Sequence, residues 1–232
     1  METSVTKNLK IVRERIASAA EKCGRKSDEI TLVAVSKGQP AARIEQVRQA
    51  GVVLFGENRV QEWLEKADQF DESVRWHLIG HLQTNKAAKV VGRVELIQSA
   101  DSVHLIEKLA VLAAGQQQTC RLLLQVNTSG ETSKFGFSPS QVEDACGRIE
   151  QLEWLHVDGL MTIGPLTEET GPVIKCFAEL RRLYDKLAAI PSAKIRMKIL
   201  SMGMSGDFEI AIREGSNLLR IGTAIFGSRN RT

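Results

Sequence analysis

Leu32–Gly56 reads LVAVSKGQPAARIEQVRQAGVVLFG, and its three parts decide the fold. Leu32–Ser36 is a short apolar, β-branched run, Ala41–Ala50 has helical periodicity, and Val53–Gly56 is a second apolar run. A strand, a helix and a further strand so closely spaced are one βα unit leading into the next. The same alternation continues to the carboxyl end. Further strands are expected at Trp76–Ile79, Leu96–Ser99, Arg121–Val126, His156–Met161, Lys198–Met202 and Leu218–Ile221, eight in all. Helices are expected after seven of them, over Ala41–Ala50, Arg59–Phe70, Asn85–Val91, Val103–Gln117, Ser140–Gln151, Glu168–Ala189 and Gly206–Glu214.

Eight parallel strands separated by helices most simply close into a (β/α)8 TIM barrel, an α/β fold that typically takes about 250 residues. The chain stops ten residues after Gly222, too soon for a full eighth helix. Val5–Lys22 has a helical pattern with no strand before it, and its apolar positions Leu9, Val12, Ile16 and Ala20 form one face. This extra N-terminal helix is expected to cover the gap. An open doubly wound sheet is the alternative, but the Gly-rich dinucleotide fingerprint is absent after the first strand.

The composition agrees with one domain over 1–232: 43% of residues are hydrophobic, 25% charged and 5% aromatic. Thirty-one Lys plus Arg against 28 Asp plus Glu leave a net charge of +3, too balanced for a broad phosphate-neutralising surface, so nucleic acid is not an expected partner. No apolar run approaches the ~18 residues of a membrane span, and Met1–Lys10 lacks the apolar core of a leader. No membrane association and a cytoplasmic location are therefore expected. Cys23, Cys120, Cys146 and Cys176 are scattered without a C-x-x-C pair, which suggests reduced, mostly packed thiols and no metal site.

In such a barrel the chemistry collects just after the strands. Loops after strands seven and eight often hold a phosphate, and here they carry Ser201, Met202, Gly203 and Ser205, then Arg220, Gly222 and Thr223. The glycines also read simply as tight turns. Lys37 follows the first apolar strand, where burial favours a neutral amine able to condense with a carbonyl; an ion pair with Glu57 or Asp207 is the plainer reading. A strand-end lysine beside a phosphate cradle suits pyridoxal 5′-phosphate (PLP), which has both an aldehyde and a phosphate, and equally suits an aldolase acting on a phosphorylated sugar.

The segments LVAVSK (32–37), FGENRVQE (55–62), HLIGHLQTNK (77–86), VNTSGETSKFG (126–136), GLMTI (159–163), LSMGMS (200–205) and RIGTAIFG (220–227) closely resemble the pyridoxal phosphate homeostasis proteins, the YggS/PROSC family. The resemblance covers nearly the whole chain. It implies the barrel of alanine racemases, PLP fold type III, with no C-terminal β domain. It further implies that Lys37 holds PLP as an internal aldimine, that Ser201, Gly222 and Thr223 bind its phosphate, that Met202 and Gly203 line that pocket, and that Asn58 lies near the ring. Arg220 would approach the pyridine nitrogen or the phosphate. Lys37-Gly38-Gln39-Pro40 departs from the commoner Lys-Thr-x-Pro, and Gly38 is expected to loosen the loop; Gly164 and Asn217 also depart from the pattern.

The function implied is maintenance of intracellular PLP by buffering and delivering it to apo PLP-dependent enzymes, without robust catalysis and with effects on amino-acid and keto-acid metabolism. No catalytic residue is assigned. A monomer is expected, since the added domain that supports racemase dimers is missing. A fold type III amino-acid racemase is the alternative, and it needs a second acid–base group. The single tyrosine, Tyr184, shares a helical face with Leu180, Leu183 and Leu187 and reads as packing. His81, at a strand end, is the remaining candidate. Lys86, Lys89, Arg93 and Lys134 are expected to draw phosphorylated ligands to the mouth or simply to be solvated.

Overall fold

The computed structural model describes residues 3–227; residues 1–2 of the segment read for a leader, and 228–232 of the expected domain, lie outside the described residues. Strands β1 (Thr31–Val35), β2 (Leu54–Glu57), β3 (Arg75–Leu78), β4 (Leu96–Ala100), β5 (Cys120–Gln125), β6 (Leu155–Met161), β7 (Ile195–Ser201) and β8 (Leu218–Ile221) form a closed barrel in chain order. Parallel pairing of β1 with β8, from Thr31↔Leu218 to Ala34↔Ile221, closes it. All eight expected strands are present. The greatest difference is at β7, which begins at Ile195 rather than Lys198, because its first half alternates with exposed Arg196 and Lys198 and shows no continuous apolar run.

The helices are α1 (Ser4–Lys22), α2 (Ala41–Gln49), α3 (Val60–Ala67), α4 (Val103–Gln116), α5 (Val142–Ile149), α6 (Thr170–Ala188), α7 (Phe208–Arg213) and the short α8 (Thr223–Phe226). One expected helix is corrected. The connection from β3 to β4 is not α-helical over Asn85–Val91 but makes 3₁₀ turns over Thr84–Lys89, in which only Ala87 is buried. One small apolar residue gives no stripe to pack on the barrel, so the tighter turn suffices.

The amino-terminal helix does cover the gap. Thr3 caps it, its hydroxyl accepting the Thr6 amide at 3.3 Å. Val5, Leu9, Val12 and Ile16 are buried along one face, each contributing roughly 1.5–3 kcal/mol. That face packs on α8, α7 and α2, and Asn8 Nδ2 donates to the Ile225 carbonyl at 3.1 Å. The helix thereby holds α8 at the end of β8, beside the cradle expected for a phosphate.

Inside the barrel, Val33, Leu54 and Leu218 form one apolar layer. A polar line crosses the interior beside it. Ser201 on β7 donates to Gln98 Oε1 at 2.7 Å, and Gln98 Nε2 meets His77 Nδ1 on β3 at 2.7 Å. Because β4 and β7 are not neighbours in the sheet, the Ser201–Gln98 bond must span the barrel. No described helix is long and apolar enough to cross a membrane.

Candidate functional site at the barrel mouth

The eight residues singled out in the sequence come from four strand ends, β7, β8, β1 and β2, which are contiguous only because the barrel closes. Lys37 is half-buried two residues beyond β1, and Asn58 is half-buried directly after β2. Ser201 ends β7, Met202 and Gly203 follow it buried, Arg220 lies within β8, Gly222 is the N-cap of α8 and Thr223 begins that helix. The register pairs Val33 with Arg220 and Ala34 with Ile221, which brings Gly222 against β1. A Cβ added at Gly222 would lie 3.3 Å from the Val35 carbonyl oxygen.

Local geometry explains Gly38. The Gln39 amide donates to the Ser36 carbonyl at 2.9 Å, and Gly38 has φ +70° while Lys37 does not have positive φ. Lys37 and Gly38 are therefore the central pair of a type II turn, whose second position requires glycine. The Gly38 amide is also bound by Glu62. The loosening expected at Gly38 is not found: the turn is pinned. Asn217 likewise has a structural task, its Oδ1 accepting from the Leu200 amide at 2.8 Å and its Nδ2 donating to the Lys198 carbonyl at 2.7 Å.

Arg220 is the central charge. It is buried at 4% exposure, donates to the Ser201 hydroxyl and donates to the Thr162 carbonyl at 2.7 Å. No carboxylate forms a salt bridge with it among the described residues. Desolvation lowers its pKa to about 10, partly offset by the field of Asp207. Burial raises the Asp207 carboxyl, against a bond from the Met204 amide at 2.6 Å and the charge of Arg220. A buried guanidinium with only neutral partners favours an incoming anion or a ring acceptor.

Around it, the amides of Gly203, Ser205, Gly222 and Thr223 make no backbone hydrogen bond among the described residues, whereas the Ala224 amide is taken by Ser205 Oγ at 3.1 Å. Amides without partners in a glycine-lined turn are suited to phosphate oxygens. The Ser201 hydroxyl proton is directed to Gln98, with the oxygen accepting from Arg220. The mouth thus offers a primary amine, a buried cation and free amides to a ligand carrying a carbonyl and an anion.

Other groups are placed differently from the simplest expectation. Glu57 is fully buried and ion-paired with Lys66 at 2.7 Å. Burial raises its carboxyl above the usual range, opposed by hydrogen bonds from Lys66 and Ser36. Lys134 donates to Glu131 at 2.7 Å and to the Gly164 carbonyl at 2.8 Å. Tyr184 packs on the core as expected, with its hydroxyl donating to Met197. Cys120, Cys146 and Cys176 are buried and Cys23 is exposed; desolvation pushes the Cys120 and Cys146 thiols up to about 12.

His81 is held from two sides. Its Nδ1 lies 2.5 Å from Asp101 Oδ2, and its ring stacks on exposed Phe135 with centroids 3.9 Å apart. With Asn58, Gln83 and Lys86 it lines a cavity of about 420 Å³. Two residues that matter here, Lys66 and Gln98, escaped the sequence reading, and Glu62, His77 and Thr162 were given no role at the site by it. The signal of Lys66, His77, Gln98 and Thr162 is burial of polar side chains, which appears only once the barrel is closed, and Glu62 is marked only by its pairing with Lys66.

A family model for the alanine racemase N-terminal domain matches residues 8–230. The pyridoxal phosphate homeostasis protein of Aquifex aeolicus is 39% identical, over 95% of this chain and 96% of its own. A solved structure of an unknown protein from Bifidobacterium adolescentis has a TM-score of 0.92 at 37% identity, covering 96% of this chain and 94% of that one. PipY of Synechococcus elongatus, solved with PLP bound, has a TM-score of 0.80 at 35% identity, covering 91% of this chain and 100% of its own. On that identity over nearly full length, and on the same closed barrel, the chain belongs to the pyridoxal phosphate homeostasis protein family, built on the alanine racemase N-terminal domain.

Proposed function

We propose that this chain binds PLP at the mouth of the barrel, keeps it there through Lys37, and maintains its supply by buffering it and delivering it to apo-enzymes. The observation that carries the reading is the convergence of Lys37, Arg220 and the glycine turns after β7 and β8 on three contiguous strand ends, β7, β8 and β1. The Lys37 amine condenses with the cofactor aldehyde to a C=N bond, releasing one water. Gly222 and Thr223 hold the phosphate through their amides, with Ser201 joining them when its hydroxyl turns from Gln98. Met202 and Gly203 shape that pocket and Asn58 flanks the ring.

Bound PLP supplies a reactive aldehyde and an electron-accepting ring. The chain's part is to bind and orient it. Arg220, if set against the ring nitrogen, keeps that nitrogen unprotonated, because a guanidinium does not give up its proton in the neutral range. A weakened electron sink suits custody better than carbanion chemistry. The same reading has the chain acting in the cytoplasm as a monomer, in keeping with its near-balanced charge and with the burial of three of its four thiols.

Protein saturated with PLP is expected to absorb near ~420 nm, and Lys37→Ala is expected to abolish the band while leaving the circular dichroism spectrum unchanged. Retention of the band in Lys37→Ala would remove Lys37 from its role. A second reading, amino-acid racemase, is favoured by one observation: the His81–Asp101 pair beside the cavity that Asn58 also lines. Incubation with single amino-acid enantiomers in deuterated water separates the two. Custody predicts no α-proton exchange above background, whereas exchange lost in His81→Ala at equal PLP occupancy establishes the racemase.

A further inference from the structure

Lys37 sits between two peptide groups that are both held by one helix. On its amino side, Lys66 Nζ donates to the Ser36 carbonyl at 2.8 Å; on its carboxyl side, Glu62 Oε1 accepts the Gly38 amide. Glu62 and Lys66 are one turn apart on α3 and pair with each other at 2.7 Å. Lys66 also pairs with Glu57 at 2.7 Å, and Ser36 Oγ donates to that same Glu57 oxygen at 2.6 Å. The three donors of the Lys66 ammonium are matched by three oxygens, on Ser36, Glu57 and Glu62.

This cluster differs from an ordinary surface pair. The Lys66 side chain is 9% exposed and that of Glu57 is 0% exposed, so water does not compete for the bonds from Lys66 to Glu57 and to the Ser36 carbonyl, whereas Glu62, 25% exposed, meets the Gly38 amide at the edge of the cluster. Beneath them α3 is anchored by buried Val60 and Trp63. The turn that presents Lys37 is therefore fastened to a rigid element at both of its flanking peptides. A lysine side chain is long and carries about 2 kcal/mol of rotamer entropy, so the direction of its amine depends first on how its own backbone is fixed.

We propose that Glu62 and Lys66 are positioning residues for Lys37, clamping the Ser36–Gln39 turn so that the Lys37 amine is presented to the carbonyl of the bound cofactor. The proposal rests on the reading of Lys37 as the attachment residue. Glu62 acts through its acceptor oxygen on the Gly38 amide, and Lys66 acts through the Ser36 carbonyl while holding Glu62 in place. Glu57 supplies the buried counter-charge that keeps Lys66 turned inward.

The test compares Glu62→Ala, Glu62→Gln and Lys66→Met by two readouts. The first uses cofactor-free protein: acetylation of Lys37 by an N-hydroxysuccinimide ester across a pH series, followed by peptide mass spectrometry. The second is the rate at which PLP leaves the loaded protein, trapped by hydroxylamine. Loss of a hydrogen bond to a charged group predicts about a tenfold rise in PLP loss for Glu62→Ala and Lys66→Met, and, because a released turn frees the half-buried Lys37 amine from the direction of the cofactor and into solvent, a rise of about the same size in its acetylation. Glu62→Gln keeps an acceptor for the Gly38 amide and is expected to stay within about threefold of the parent in both.

Equal behaviour of Glu62→Ala and Glu62→Gln overturns the proposal. So does a fall in urea midpoint with unchanged Lys37 acetylation and unchanged PLP loss, which marks the cluster as merely structural. Should Lys66→Met fail to fold, the two Glu62 variants decide the matter. The acetylation series does not involve PLP, so a failure of Lys37 as attachment residue appears in the ~420 nm band and a failure of the clamp appears in the acetylation rates.

Discussion

Gly203→Ala is expected to lower the free energy of unfolding by about 2–5 kcal/mol and to weaken PLP binding at the same time. Gly203 has φ +97°, and an added Cβ would lie 2.6 Å from Ala211 Cβ, 3.1 Å from Phe208 Cα and 3.1 Å from Leu219 Cδ2. The left-handed backbone costs a non-glycine residue roughly 1–2 kcal/mol, and overpacking a filled site typically adds about 1–3 kcal/mol. The crowding atoms belong to α7 and β8, neither of which can move alone. Gly203 accepts the Arg220 amide at 3.0 Å, so a shift of the loop also displaces the buried guanidinium.

Urea unfolding followed by circular dichroism measures the first effect, and titration of the ~420 nm band with PLP measures the second. Adding Ala211→Gly to Gly203→Ala removes the nearest atom, but leaves the backbone strain, leaves Phe208 in place and costs about 1 kcal/mol of helix propensity. Partial recovery of PLP affinity with little recovery of stability is the expected pattern. A Gly203→Ala protein with parental stability and affinity would show that the loop relaxes freely and that Gly203 is not a fixed wall of the pocket.

The barrel itself was legible because its signal is local. Each strand from β1 to β6 and β8 is a short apolar run that periodicity detects without knowledge of its neighbours. The N-terminal helix was readable for the same reason, since Leu9, Val12, Ile16 and Ala20 declare a face before anything is packed on it. Thr84–Lys89 was misread because two lysines and two alanines permit a helix, and only the shortage of buried positions decides against it. The first half of β7 lacked an apolar run, its partner β6 supplying the pairing that its side chains do not announce.

At the site, Lys37, Arg220 and the glycine turns could be picked out by position after a strand. Their supports could not. Glu62 and Lys66 look like an ordinary exposed i, i+4 pair, and only the seating of α3 on β2 turns them under the Ser36–Gln39 turn. Gly38 reads as flexibility in sequence and becomes a conformational requirement once the Gln39-to-Ser36 bond is seen. His77 and Gln98 sit one strand apart in sequence with no motif between them. Their pairing with each other, and with Ser201 on the far side, is a product of closure.

That closure makes His77 a second strong determinant of stability, through pH. Its residue is 3% exposed, Nδ1 faces the Gln98 amide, and burial lowers its pKa to about 3, with smaller contributions from Arg75 and Arg121. Since Gln98 Oε1 accepts from Ser201, the amide nitrogen must face His77, which fixes Nδ1 as an acceptor; protonation there would oppose two donors. A histidine whose folded-state pKa lies below its unfolded value contributes stability that is complete above about pH 6.5 and is lost as the pH falls towards 3.

The loss runs at about 1.4 kcal/mol per pH unit and amounts to about 3 kcal/mol between pH 7 and pH 4. Glu57 and Asp207, raised by burial, act with the opposite sign, their contributions falling as the pH rises. The difference between parent and His77→Asn isolates the histidine, because asparagine retains an acceptor for Gln98 and does not titrate. Urea unfolding is expected to show His77→Asn weaker than the parent by about 1–2 kcal/mol at pH 7, for the lost ring volume. The gap should close and then reverse as the pH falls to 4. Parallel loss of stability in the two proteins would mean that His77 accepts a proton without unfolding the barrel, and that the Gln98–Ser201 line to Arg220 rearranges to admit it.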